Sequence, residues 1–233
     1  MKYFQRGFSI AEVLTVTVIL GMLMSAMVVI IPVMMHSPLQ MQSQVDQVNA
    51  AAIALYKIRR DFSEGDISGV MGCTTAPVVS CDSASTSVES VTAMAVVTAE
   101  DNTGAFQVDP GSGYPSWRGF YVYWLVPNQT GTAYDLMRAW EPAPLCSLGF
   151  VAPFGCINVT NGVPNNVTPS MVNPLVTAAI ALSPPPVLTN NIVSMKLGET
   201  VGAQTVQFEL DAGAFAGANQ AQTTFQSNTY ARN

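Results

Sequence analysis

Charge is what this chain has least of. Lysine, arginine, aspartate and glutamate together make up 10% of its 233 residues, where an ordinary soluble domain carries about 25%. Thr, Ser, Asn, Gln, Gly and Pro fill the polar positions instead, which suits a secreted or surface-displayed protein. Histidine is rarer still, with His36 the only one. It stands between two prolines with no Ser or Cys partner nearby in sequence, so an interfacial polar role is expected of it rather than a catalytic one. There is no phosphate-cradling glycine loop and no G-x-S-x-G stretch, and no internal repeat. No enzymatic activity and no cofactor is expected. Basic residues are outnumbered: beyond residue 35 stand fourteen acidic and seven basic residues. Nucleic-acid binding requires a basic face. Arg59, Arg60, Arg118 and Arg138 could cluster, but the balance argues against direct nucleic-acid capture.

Against that scarcity stands one long apolar run. Residues 8–35 carry a single charge, Glu12. About 20 apolar residues suffice to cross a bilayer as a helix. An ordinary secretory signal is excluded, since no Ala-x-Ala site follows and the run is too long. Lys2 and Arg6 precede the run, and no charge follows it until Asp46. The positive-inside bias therefore places the N-terminus in the cytoplasm and the remainder outside. A carboxylate inside such a span is expensive and marks a functional position by default. A plain single-pass anchor would leave Glu12 without a purpose.

A short basic leader ending in Gly7, Phe8 directly after it, and Glu12 five residues beyond Gly7 resemble the signal of type IV prepilins. Ser9, Ile10 and Ala11 depart from the middle of the family's usual stretch, while the spacing is kept. The resemblance implies that residues 1–7 are a leader removed by a prepilin peptidase between Gly7 and Phe8, with the new terminus methylated. It also implies that Glu12 pairs with the N-terminal amine of a neighbouring subunit during assembly. Residues 8–35 would then be the membrane and filament-core helix.

The helix is expected to continue over 8–62, about 80 Å at 1.5 Å per residue. Its second half, 36–62, turns amphipathic: Val45, Val48, Ala52, Leu55, Arg59 and Phe62 recur at three- and four-residue steps. That stripe is expected to lie on a sheet. Pro32 and Pro38 each remove a helix hydrogen bond, which predicts a kink or a short unwound stretch over 32–38. Asp61, Glu64 and Asp66 form an acidic cluster. Its plain reading is a solvated loop of turn-forming acids, although oxygen ligands so spaced would also suit calcium.

From 63 to 233 the chain reads as a β-rich head. Apolar and aromatic runs at 91–99, 119–126 and 134–140, then 192–197, 205–211 and 223–232, are bounded by turn residues. Trp117, Tyr121, Tyr123 and Trp124 are expected in the sheet core. Residues 211–222 read as an Ala/Gly-rich hairpin connection. Nine of the fifteen prolines fall between Pro142 and Pro186, a density that argues against regular structure over most of 142–186. Cys73, Cys81, Cys146 and Cys156 all follow the span and should meet an oxidising compartment. Three pairings are possible. The local one, Cys73–Cys81 and Cys146–Cys156, is favoured because each closes a short loop. Free buried thiols and metal binding are the competing readings, though neither spacing is of the zinc type.

A second resemblance covers the later half. Tyr121–Trp124, then Leu136-Met137-Arg138, and the closing stretch from Phe225 to Asn233 are similar to the ends of larger minor pilins and J-type pseudopilins. Leu55-Tyr-Lys-Ile-Arg-Arg-Asp61 fits the same group. Together these expectations describe an α+β pilin-like subunit, a long N-terminal helix packed on an antiparallel sheet. It would wait in the inner membrane with its N-terminus in the cytoplasm, and later sit in a periplasmic or extracellular filament beside other pilin or pseudopilin subunits. A minor pilin is the first reading. A pseudopilin of a type II secretion or competence system is the second, and a membrane-anchored surface binding protein or enzyme without a filament is the third.

Overall fold

The computed structural model describes residues 10–76, 78–129, 131–143, 157, 159–160, 163–164, 167–182, 186–200, 205–216 and 219–230. By internal contacts the chain divides into Met1–Val45 and Asp46–Asn233. One helix, α1 (Ile10–Glu64), runs from the first unit into the second. Its backbone is helical through 32–38, so the unwound stretch expected there is absent. Each proline forfeits one helical bond, but the turns on either side keep theirs.

In the second unit α1 is followed by a 3₁₀ turn, Ile67–Gly69, and then by strands. These are β1 (Met71–Thr74), β2 (Ser80–Ser83), β3 (Glu89–Ser90), β4 (Ala93–Thr98), β5 (Gly119–Pro127) and β6 (Tyr134–Pro142). A small hairpin follows, β7 (Val159–Thr160) with β8 (Val163–Pro164), then helix α2 (Pro169–Ile180). The chain ends in β9 (Val187–Thr200), β10 (Thr205–Ala216) and β11 (Asn219–Tyr230). The main sheet is antiparallel, in the order β11-β10-β9-β6-β5-β4-β1-β2. It also curls back on itself. β3, which leads directly into β4, pairs with the later part of β9, Glu89 opposite Leu197 and Ser90 opposite Lys196. The Val91 N–H donates to the Met195 carbonyl at 2.9 Å. β4, β5, β6 and β9 thereby form a ring closed by β3.

Both faces of the sheet are covered, so its central strands are apolar throughout rather than alternating with polar residues. The period of two still sorts them. Met94, Val96, Tyr121 and Tyr123 face α1, in a core with Ala51, Ala54, Ile58 and Phe62. Ala93, Ala95, Val97, Phe120, Val122 and Trp124 face the other way, in a core with Met171, Val172, Val176 and Ala179 of α2. The four aromatics expected in the sheet core are all buried. Where α1 ends, the chain passes so close to β4 that side chains have no room. A Cβ on Gly65 would stand 2.5 Å from a Val96 methyl, and one on Gly69 would stand 2.1 Å from a Val97 methyl.

Three expectations are corrected. The face of α1 that meets the sheet is Ala51, Ala54, Ile58 and Phe62, with Leu55 partly buried, while Val45, Val48, Ala52 and Arg59 are exposed. Small alanines let the helix approach the strands, and a buried ion pair at Asp61 sets its rotation. Next, 142–186 holds an ordered helix. Pro169 occupies its first turn, where no N–H is needed, and only Pro174 lies inside. Finally, much of 211–222 is strand, because β10 and β11 pair from Thr205–Tyr230 to Ala216–Asn219.

Candidate functional site

Two regions carry the features that bear on function. The first is the N-terminal part of α1. Every residue from Ile10 to Val28 is exposed, and this 19-residue stretch is long and apolar enough to cross a membrane. Its hydroxyls are consumed internally: Thr15 donates to the Ala11 carbonyl at 2.7 Å and Ser25 to that of Met22 at 2.8 Å. The outer surface is thereby left apolar, as lipid or another apolar helix requires. Glu12 lies in the first turn, where the helix dipole favours a negative charge. Gly7 and Phe8 lie outside the described residues.

Past Asp46 the helix has two apolar faces. One packs on the sheet. The other is exposed: Val48 is 39% accessible, Ile53 67% and Tyr56 70%. Periodicity alone detected the outward stripe and assigned it inward. A mixed-polarity inner face, with Asp61 among its buried members, was the harder pattern to see.

The second region is the ionic network between α1 and the sheet. Asp61 is fully buried. Arg138 of β6 donates to its Oδ2 through Nε and through a terminal nitrogen, each at 2.7 Å. The Tyr123 hydroxyl donates to the same oxygen. Arg138 also lies over the Tyr121 ring, 3.8 Å from its centroid, a cation–π contact. The Tyr121 hydroxyl donates to Glu100, and Arg60 reaches Glu100 at 3.4 Å. Burial pushes the Asp61 carboxyl above its ordinary value, and the Arg138 guanidinium pulls it partway back. Burial, with the hydrogen bond and charge of Glu100, pushes Glu64 up to about 7. Burial acts upward on Glu100 too, but hydrogen bonds from Glu64 and Tyr121 and the charge of Arg60 outweigh it and hold it low. Of the two carboxyls, Glu64 is thus the one that holds a proton more readily.

The acidic cluster at the helix end is thus not a solvated loop. Asp61 is committed to Arg138. Asp66, 1% accessible, accepts from the Ser68 N–H at 2.8 Å, the turn chemistry expected of it. Among the described residues no group of three or more His, Cys, Asp or Glu is placed to hold a metal ion.

Cys73 and Cys81 form a disulfide across the β1–β2 hairpin, where they are direct register partners. Both are 1% accessible and sit in the core shared with α2. Cys146 and Cys156 lie outside the described residues. Compared with protein-family models, with curated proteins and with solved structures, the chain matches none.

Proposed function

We infer that this chain is a structural subunit of a type IV pilus-like filament, in the role of a minor pilin. One observation carries the reading. Gly7 and Phe8 shortly precede in sequence, and Glu12 lies in the first turn of, a helix whose residues from Ile10 to Val28 are all exposed and apolar enough to span a membrane. Such a surface suits lipid before assembly and the helices of neighbouring subunits after it. The outward stripe of Val45, Val48, Ile53 and Tyr56 supports the same reading, because a helix that serves only its own sheet has no use for a second apolar face. Glu12 then offsets its burial by meeting a neighbour's N-terminal amine.

The head is bulky for a subunit that must tile against copies of itself on several sides. It carries a sheet covered on both faces and the proline-rich segment around α2. That favours low copy number, at the start or tip of a filament built from a smaller subunit. A pseudopilin of a secretion or competence machine would share this architecture, and the identity of the dominant co-purifying subunit separates the two. Mass spectrometry of the native N-terminus should find Phe8 first and methylated; Met1 retained in assembled material would refute the reading. Glu12→Ala should insert and be cleaved yet fail to enter filaments.

A further inference from the structure

The two edges of the main sheet are treated differently. The β2 edge is four residues long and carries Asp82. It is also covered by α2, whose Asn173 Oδ1 accepts from the Cys81 N–H at 2.8 Å. Short length, a charge and a covering element are the usual means by which proteins close a sheet edge to other chains. The β11 edge has none of them. It is twelve residues long, Asn219–Tyr230, without charge, proline or glycine. Among the described residues no strand lies beyond it. Among the described residues, the charges on the neighbouring β10 are engaged within their own sheet. Glu209 accepts from Lys196 at 3.0 Å and from Gln226 at 2.6 Å. Asp211 accepts from Ser194 at 2.5 Å and from Thr224 at 2.7 Å.

We propose that β11 is a pairing edge for a second copy of this chain, joined β11 to β11 in antiparallel register about a two-fold axis. A copy cannot add to β2, since α2 already occupies that edge. Of the two edge strands, only β11 matches β11 in length. An uncharged strand laid antiparallel on itself sets no like charges opposite each other, the commonest bar to self-pairing. Association through one self-complementary edge closes at two copies and cannot propagate as a fibre. A two-fold keeps each residue on its own face of the sheet, so it passes between a residue and its own copy: with the axis at Thr224, Thr224 stands opposite Thr224 and residues 219–229 of the two strands pair. The proposal concerns the head alone and does not depend on the filament reading.

The test uses the full chain purified in detergent micelles. Light scattering with the detergent mass subtracted should give a dimer. Thr224→Lys, which sets two like charges directly opposite each other at the two-fold, should weaken dimerisation by about tenfold, with the circular dichroism and the Cys73–Cys81 bridge unchanged. Single cysteines placed in turn at 219–230 supply a second reading that does not rely on that variant. Copy-to-copy crosslinking should peak at 224 and fall away on both sides. A monomeric wild type, a flat crosslinking profile, or a dimer indifferent to Thr224→Lys (the sign of association through the apolar helix) would each overturn the proposal. So would pairing of β11 only with a different protein.

Discussion

The two faces of the sheet are both buried, yet they are held by different means. The α2 face is apolar throughout its core: Trp117, Phe120, Val122 and Trp124 against Met171, Val172 and Val176, closed at one end by Cys73–Cys81. The α1 face has an apolar core as well, with Phe62 stacked on Phe208 at 5.7 Å between ring centroids. Threaded through it is the Asp61–Arg138–Tyr123 and Glu100–Tyr121–Arg60 network. Apolar packing tolerates small slides and rotations at modest cost. A buried charge with one matching partner does not. The α2 face therefore supplies bulk stability. The α1 face also sets which residues of the long helix point inward, and so which are left to face outward.

Breaking the ion pair is the strongest test of that contrast. Asp61→Ala should cost about 3–5 kcal/mol in unfolding free energy, because Arg138 is left charged in a buried site. Urea unfolding of the detergent-solubilised chain, followed by tryptophan fluorescence, measures it. A double change, Asp61→Leu with Arg138→Met, should recover much of the loss; no recovery would mean that size, not charge, was the issue. Next comes the staple of the other face. Replacing Cys73 and Cys81 by alanine opens a loop of sequence separation 8 and should cost about 2.5 kcal/mol on the chain-entropy account. Val176→Ala on α2 follows at about 2 kcal/mol, for a fully buried side chain and the cavity it leaves. If it costs as much as Asp61→Ala, the two faces do not differ in kind.

The smallest effect is a dependence on pH. The folded state raises Glu64 from its ordinary value of 4.5 to about 7, so between those values the native protein binds more protons than the unfolded chain. The contribution of Glu64 to stability is then fully present below about 4.5 and is lost as pH rises through about 7. The side chain is 32% accessible, so solvent screening reduces the effect to about 1 kcal/mol. Glu64→Gln should stabilise the protein by that amount at pH 8 and flatten the slope between pH 5 and 7. Melting temperatures across that range decide it, and an unchanged slope would refute the raised Glu64.

The long helix was legible in the sequence, its end to within two residues of Glu64, because apolar runs and periodicity are local signals. So were β5 and β6, whose aromatics announce a covered strand. The face of α1 was not. Its decisive residue, Asp61, is polar by type, and its partners lie 62 and 77 residues away, at Tyr123 and Arg138. Periodicity instead scored Val45 and Val48, which belong to the outward stripe. The short strands β1, β2 and β3 carry too few apolar residues to register. α2 was hidden by proline density, since the count of prolines conceals that one sits at the first helical position. Of the candidate site, the Cys73–Cys81 bridge was readable from spacing. The buried network was not, because no short motif encodes a contact between a helix end and a distant strand.

The closure of the ring by β3 and β9 has a consequence in time. Nearly half the chain separates Glu89 from its partner Leu197. Synthesis delivers the N-terminal side first, so β3, β4, β5 and β6 must wait, incomplete, for β9 to arrive. Contacts this distant along the chain make for slow folding. Ile58 and Phe62 stay under-covered until Met195, Leu197 and Phe208 reach them. A chain cut short before residue 187 retains its membrane-competent helix but cannot close its head. The last fifth of the chain thus serves as a completeness check, admitting to a finished fold only those copies that carry it.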